Sequence, residues 1–146
     1  MRQRNYQRSR QRSRHFSAQT LWQIDRVSGL ALAPEGEAAV CSVTSFDVAR
    51  NQGSTSLWLL STVGLKPRRL TRCGAKDGQP AWSPKGERIA FIAKREQGAK
   101  KDDTPQLYLI APDGGEATRI SDFGPGIESF KWLPDGQRIE IGRAHV

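Results

Sequence analysis

One spacing governs what this chain of 146 residues can fold into: a turn-forming tetrad recurs every 50 residues. Ala33, Pro34, Glu35 and Gly36 open the series, Ser83, Pro84, Lys85 and Gly86 follow, and Leu133, Pro134, Asp135 and Gly136 close it. Trp82 and Trp132 stand directly before two of the tetrads. The same shift superimposes Leu57, Trp58, Leu59 and Leu60 on Leu107, Tyr108, Leu109 and Ile110, Gly64 on Gly114, Leu70 and Thr71 on Ile120 and Ser121, and Ile89 on Ile139. A period of this length marks stacked units, none of which buries its apolar face alone.

The shared residues read as one four-stranded unit. Pro at the second turn position presets φ, and Gly at the fourth tolerates the positive φ of a bulged hairpin, so each tetrad is a hairpin turn. In the second repeat, residues 80–83 form a short strand whose Trp82 points into a core, and residues 88–94 are apolar and rich in strand formers. Gln106–Ala111 make a third run. Asp113, Gly114 and Gly115 turn the chain, and residues 117–121 make a fourth, edge-like strand containing Arg119. Four antiparallel strands per repeat make a blade, so the fold class is all-β, a partial β-propeller of about two and a half blades after a short N-terminal helix. Residues 46–55 and 95–105, polar or charged, read as long exposed connectors, with the carboxylates of Asp102 and Asp103 solvated.

Charge excludes less than its total suggests. The formal net charge is +8, but Arg2, Arg4, Arg8, Arg10, Arg12 and Arg14 crowd the first fifteen residues, and the other 17 basic residues face 15 acidic ones. A near-neutral body with a basic tip lacks the continuous basic face that tracks a phosphate backbone, so no nucleic-acid partner is expected. Residues 1–15 have no hydrophobic period and read as a disordered tail or upstream sequence, with an RNA-binding or targeting arm as the alternative. No stretch approaches the ~18 apolar residues of a membrane span, and no apolar core follows the arginines to make a secretory signal. A soluble cytoplasmic chain without a membrane partner is expected. Cys41 and Cys73, the two cysteines, match no zinc or redox spacing and read as unpaired, partly buried thiols.

The run from Trp82 to Phe91, then Leu107 to Ile110, Asp113 to Glu116, and Arg119 with Ile120 and Ser121, resembles the N-terminal propeller of the prolyl oligopeptidase family of serine peptidases, especially its acylaminoacyl-peptidase-like and dipeptidyl-peptidase-like bacterial members. Propellers of the TolB type share those motifs. Residues 16–28 favour the peptidases, because they look like the helix and first strand with which such enzymes open: Ser17 caps the helix, and Leu21 with Ile24 gives it an apolar face. The resemblance covers residues 16–139, taken as the propeller domain. Ala33, Glu35, Lys85 and Leu133 depart from the family's usual turn residues while Pro and Gly are kept. Residues 140–146 read as a non-native tail of the kind that translated sequencing-adapter DNA produces.

The resemblance implies an absent C-terminal α/β-hydrolase domain with a Ser-Asp-His triad, over which the propeller gates short peptide substrates. That domain and those peptides are the expected partners. This chain has no Gly-x-Ser-x-Gly elbow, and its histidines are His15 and His145 alone, so no serine is matched with a base. No catalytic, cofactor-binding or metal-ligating residue is assigned. Two complete blades with open outer faces are expected to fold poorly on their own and to aggregate. A non-enzymatic TolB-like propeller serving as a protein-binding scaffold is the alternative reading.

Overall fold

The computed structural model describes residues 17–72, 76–97 and 100–142. The Arg-rich segment, Phe16, Cys73, both histidines and residues 143–146 lie outside the described residues. Glu140, Ile141 and Gly142 continue a strand.

The three tetrads close alike. The N–H groups of Gly36, Gly86 and Gly136 each donate to the carbonyl three residues earlier at 2.9 Å, and Ala33, Ser83 and Leu133 each bond to the carbonyl five residues later at 2.8–2.9 Å. The glycine φ values are 77°, 72° and 67°, in the left-handed region that a side chain would strain. At Gly86 a Cβ would also meet the Glu35 carboxylate at 2.9 Å, so one turn rides on the turn of the sheet before it.

Helix α1 (Ala18–Trp22) carries Ser17 as N-cap, whose Oγ accepts from Thr20 N at 3.1 Å. Blade 1 follows as β1 (Arg26–Leu32), β2 (Ala38–Asp47), β3 (Gln52–Ser61) and β4 (Arg68–Arg69), antiparallel and in chain order. Blade 2 contains β5 (Gly78–Trp82), β6 (Ile89–Ala93), β9 (Gln106–Ala111) and β10 (Gly114–Arg119). A small hairpin, β7 (Glu96–Gln97) with β8 (Lys100–Lys101), is inserted between its second and third strands. Blade 3 consists of β11 (Ser129–Trp132) and β12 (Ile139–Gly142) among the described residues.

The blades stack face to face, and strand alternation divides the core between two interfaces. Ile89, Phe91, Tyr108 and Ile110 of blade 2 pack with Val40, Leu57, Leu59 and Leu70 of blade 1. The alternate residues Ala90, Ile92, Leu107 and Leu109 pack with Phe130, Trp132 and Ile139 of blade 3. β6 is therefore buried along its whole length. The two tryptophans occupy equivalent places: Trp82 Nε1 donates to Ala31 O at 3.1 Å and Trp132 Nε1 to Ala81 O at 3.2 Å. Outer-strand contacts repeat as well, Leu57 N to Thr71 Oγ1 at 2.9 Å and Leu107 N to Ser121 Oγ at 2.8 Å. The position of Trp82 is held in blade 1 by Leu32, which is 61% exposed, with no sheet against it among the described residues. Cys41, on that same face, is a free buried thiol whose pKa burial raises.

Three expectations are corrected. Residues 46–55 are not a long connector: β2 and β3 pair without interruption from Ala38 opposite Ser61 to Asp47 opposite Gln52. The turn is tight because Asp47 Oδ1 accepts from Arg50 N at 3.1 Å and Asn51 adopts φ 50°, a conformation Asn tolerates better than most residues. The segment 95–105 is likewise not all solvent-exposed, since it holds the β7–β8 hairpin and begins with the buried Arg95. Leu21 and Ile24 do not dock an apolar helix face, because both are exposed; α1 is tied down by Trp22, whose ring meets Phe46 edge-on at 5.5 Å with the Arg26 guanidinium over both rings.

The interface between blades 1 and 2 and the opposite face of blade 1 differ in consequence. Phe91→Ala, between blades, is expected to cost about 3–5 kcal/mol, whereas Leu32→Lys, on the open face, is expected to stay within about 0.5 kcal/mol. Urea denaturation followed by far-UV circular dichroism measures both.

Candidate functional site

The blade 1–blade 2 interface contains one feature absent from the repeat pattern, a buried charge cluster. The strand entering each blade bonds back to the blade before it: Asp77 N donates to Thr55 O at 3.1 Å, and Ile127 N to Pro105 O at 2.9 Å. Ile127 is apolar at this place and Asp77 is not, yet Asp77 is 0% exposed. Its carboxylate is met by Arg95, which leaves the end of β6 and forks onto it through Nε at 3.2 Å and an Nη at 2.7 Å. The guanidinium lies 4.9 Å from the Phe91 ring centre and 5.3 Å from that of Tyr108, over two rings whose centres are 5.8 Å apart, while its edge is paired with the carboxylate.

Asp102 supplies the second carboxylate. It was expected to be solvated, but it is buried at the base of the β7–β8 hairpin. It accepts from Arg95 N at 3.2 Å and from the Tyr108 hydroxyl at 2.5 Å, and Arg119 Nε stands 2.9 Å away. Arg119 also donates to Asp122 at 2.8 Å. Asp103, its neighbour, is exposed as expected. Arg95 thus pairs with Asp77, and Arg119 with Asp102 and Asp122, and these contacts pin the hairpin to the blade. Burial first, and then the bond to Asp102, raises the Tyr108 hydroxyl pKa well above the usual tyrosine range.

Beside the cluster, at the outer rim, a groove of about 660 Å³ opens between β4 of blade 1 and β10 of blade 2. Arg68 spans it, donating to the carbonyls of Pro112 and Asp113. The groove is mixed in charge, with Arg69 and Arg72 facing Asp113 and Glu116. No group of three or more His, Cys, Asp or Glu side chains suited to a metal occurs among the described residues. Among these residues, too, no helix is long and apolar enough to cross a membrane. The cluster fastens blade 2 internally, tying its entering segment and the inserted hairpin to β6 and β9, while the backbone bond from Asp77 N to Thr55 O reaches blade 1. Sequence reading assigned no site residue and missed Asp77, Arg95 and Asp102. One signal was available, an Asp at the position where the next repeat has Ile.

Asp77→Ile leaves Arg95 buried without its partner, with an expected loss of about 3–5 kcal/mol. Adding Arg95→Leu is expected to bring stability back to within about 1 kcal/mol of the parent or above it, since apolar replacement of a whole buried pair is often neutral or stabilising. Thermal and urea unfolding of the single and double variants decide this. Tyr108 yields a pH prediction. Its raised folded pKa makes its stability contribution complete below the unfolded tyrosine value of about 10 and progressively lost as pH climbs above it. In a Tyr6→Phe variant, tyrosinate absorbance is expected to appear only together with unfolding. Ionisation near pH 10 in a chain that remains folded contradicts the burial of that hydroxyl.

No family model matches the chain. Among curated proteins it is 28% identical over 126 residues to the uncharacterized peptidase YuxL of Bacillus subtilis, covering 86% of this chain and 18% of that protein. It is 30% identical over 125 residues to dipeptidyl-peptidase 5 of Porphyromonas gingivalis, covering 86% and 17%. The chain therefore spans less than a fifth of the length of these relatives. In fold it is similar to the acylaminoacyl peptidase of Pyrococcus horikoshii, with a TM-score of 0.64 at 16% identity over 82% of this chain and 17% of that one. The β-propeller domain of the trilobed protease of Pyrococcus furiosus gives 0.63 at 17% identity over 82% and 34%. A TolB-like protein of Agrobacterium tumefaciens gives 0.62 at 18% identity over 80% and 38%. The resemblance drawn from the motifs is met on both counts: the chain is a partial β-propeller related in sequence to peptidases.

Proposed function

We propose that this chain is part of the N-terminal propeller of a cytoplasmic serine peptidase of the prolyl oligopeptidase family, and that in the longer protein it admits short peptides to an α/β-hydrolase domain. The observation that carries this is the 30% identity with dipeptidyl-peptidase 5 across 86% of the chain, joined to a stacked-blade fold of the kind found in acylaminoacyl peptidase. The described residues supply walls rather than chemistry. A ring of such blades leaves a central channel, and the Asp77–Arg95 pair holds the entering segment of one blade to its second strand. Nucleophilic attack, proton transfer and oxyanion stabilisation then belong to the hydrolase domain.

The TolB-like likeness favours a second reading, a propeller that binds proteins without catalysis. Extending the reading frame in the source DNA separates the two. A Gly-x-Ser-x-Gly segment after the last blade, in a protein that cleaves short peptide amides and leaves folded proteins intact, is the expected result. A stop codon directly after the last blade overturns the peptidase reading and leaves the scaffold.

A further inference from the structure

Irregular pairing in blades 1 and 2 is confined to strands that have a free side. The central strands match residue for residue: β2 with β3 from Ala38 opposite Ser61 to Asp47 opposite Gln52, and β6 with β9 from Ile89 opposite Ile110 to Ala93 opposite Gln106. The first strand of each blade departs from this. In β1, Gly29 and Leu30 together stand opposite Cys41, and in β5, fifty residues on, Gln79 and Pro80 together stand opposite Phe91. The residue that opens each bulge is left-handed, Gly29 at φ 59° and Gln79 at φ 51°. Glycine adopts that conformation freely and glutamine is strained in it, yet Gln79 keeps it, with its side-chain amide donating to Glu128 O at 2.9 Å. The last strands are blunted in other ways: β4 has two residues, both arginine, and in β10 Gly115, Glu116 and Ala117 stand opposite Ile110 alone. β11 pairs with β12 in regular register, so among the described residues the first-strand bulge belongs to blades 1 and 2.

The bulged strands lie on the inner side of the stack. A Cβ on Gly29 would meet Pro80 at 3.1 Å, and Trp82 bonds to Ala31 O, whereas a groove of about 660 Å³ opens between β4 and β10. Blades that converge on β1 and β5 in this way turn those edges toward the axis of the stack. An unpaired edge is a template for an extended chain, but an extra residue bends and twists it, and a proline removes a donor. We propose that the bulges at Gly29 with Leu30 and at Gln79 with Pro80 are blocks against strand addition, which leave the inner edges of blades 1 and 2 unable to hold an extended peptide by backbone pairing. Under the proposed function, peptides then meet these edges without being captured on them; the blocks themselves are a property of this chain whichever function the longer protein has.

The test removes one bulge residue at a time. Deletion of Gly29, or deletion of Gln79 together with Pro80→Thr, leaves a single residue opposite Cys41 or Phe91 and keeps the register of the pairs on either side. Parent and variants are checked for folding by far-UV circular dichroism and titrated calorimetrically with a lysine-flanked peptide of alternating threonine and valine. Each variant is expected to bind one peptide per chain at least about tenfold more tightly than the parent, and N-methylation of alternate peptide amides is expected to remove that gain. Folded variants that bind no better than the parent overturn the proposal, as does a gain that survives N-methylation. Loss of folding in both variants overturns it too, because the bulges then serve the close packing of Gly29 against Pro80.

Discussion

A four-stranded sheet whose central strand has no solvent-facing side is stable only with a neighbour against each face. β6 makes that demand here: Ile89, Phe91 and Ala93 belong to the core shared with blade 1, while Ala90 and Ile92 belong to the core shared with blade 3. Everything else in the chain answers to this constraint. The tetrad turns bring strands one and two of each sheet together, and the tryptophan preceding a turn fastens its sheet to the backbone of the sheet before. Such stability is a sum of nearest-neighbour terms, and among the described residues Leu32, on the face of blade 1 turned away from blade 2, is exposed.

Against that regular apolar stacking, the Asp77 cluster marks one interface as different from the next. A buried carboxylate needs a cation at the same depth, and Arg95 of the same blade supplies it with its guanidinium over the stacked Phe91 and Tyr108 rings. Asp102 then ties the arginine backbone, the Tyr108 hydroxyl and Arg119 to the base of the inserted hairpin. Both carboxylates are held by partners from the same blade, while Asp77 N bonds to blade 1 at Thr55, so the network couples blade pairing to hairpin placement.

Most of the architecture was legible because it is written locally and three times. Pro34, Pro84 and Pro134 preset a turn, the paired glycines allow its positive φ, and alternating apolar residues flank it, so strands such as Gln106–Ala111 fall where periodicity places them. The long β2–β3 hairpin was not legible, because residues 46–55 are polar and glycine-bearing like a loop. Its ladder persists through a local Asp47 bond, the left-handed Asn51 and a cross-strand bond between the Thr44 and Thr55 hydroxyls at 2.8 Å. Nor could periodicity turn Arg95 and Asp102 inward. Arg95 is buried only because Asp77, 18 residues earlier, enters the same interface, and hydrophobic patterns do not record partnerships at that range.

Equivalence of residues fifty apart is the claim on which the stacking rests, and the indole protons report on it most directly. Hydrogen exchange of the tryptophan Nε1–H groups, followed by NMR, compares Trp82 and Trp132 with the exposed Trp22 in the same sample. Slow exchange at both Trp82 and Trp132, each bonded to a carbonyl of the preceding blade, is the predicted result. Exchange of either one at the rate of Trp22 contradicts the account.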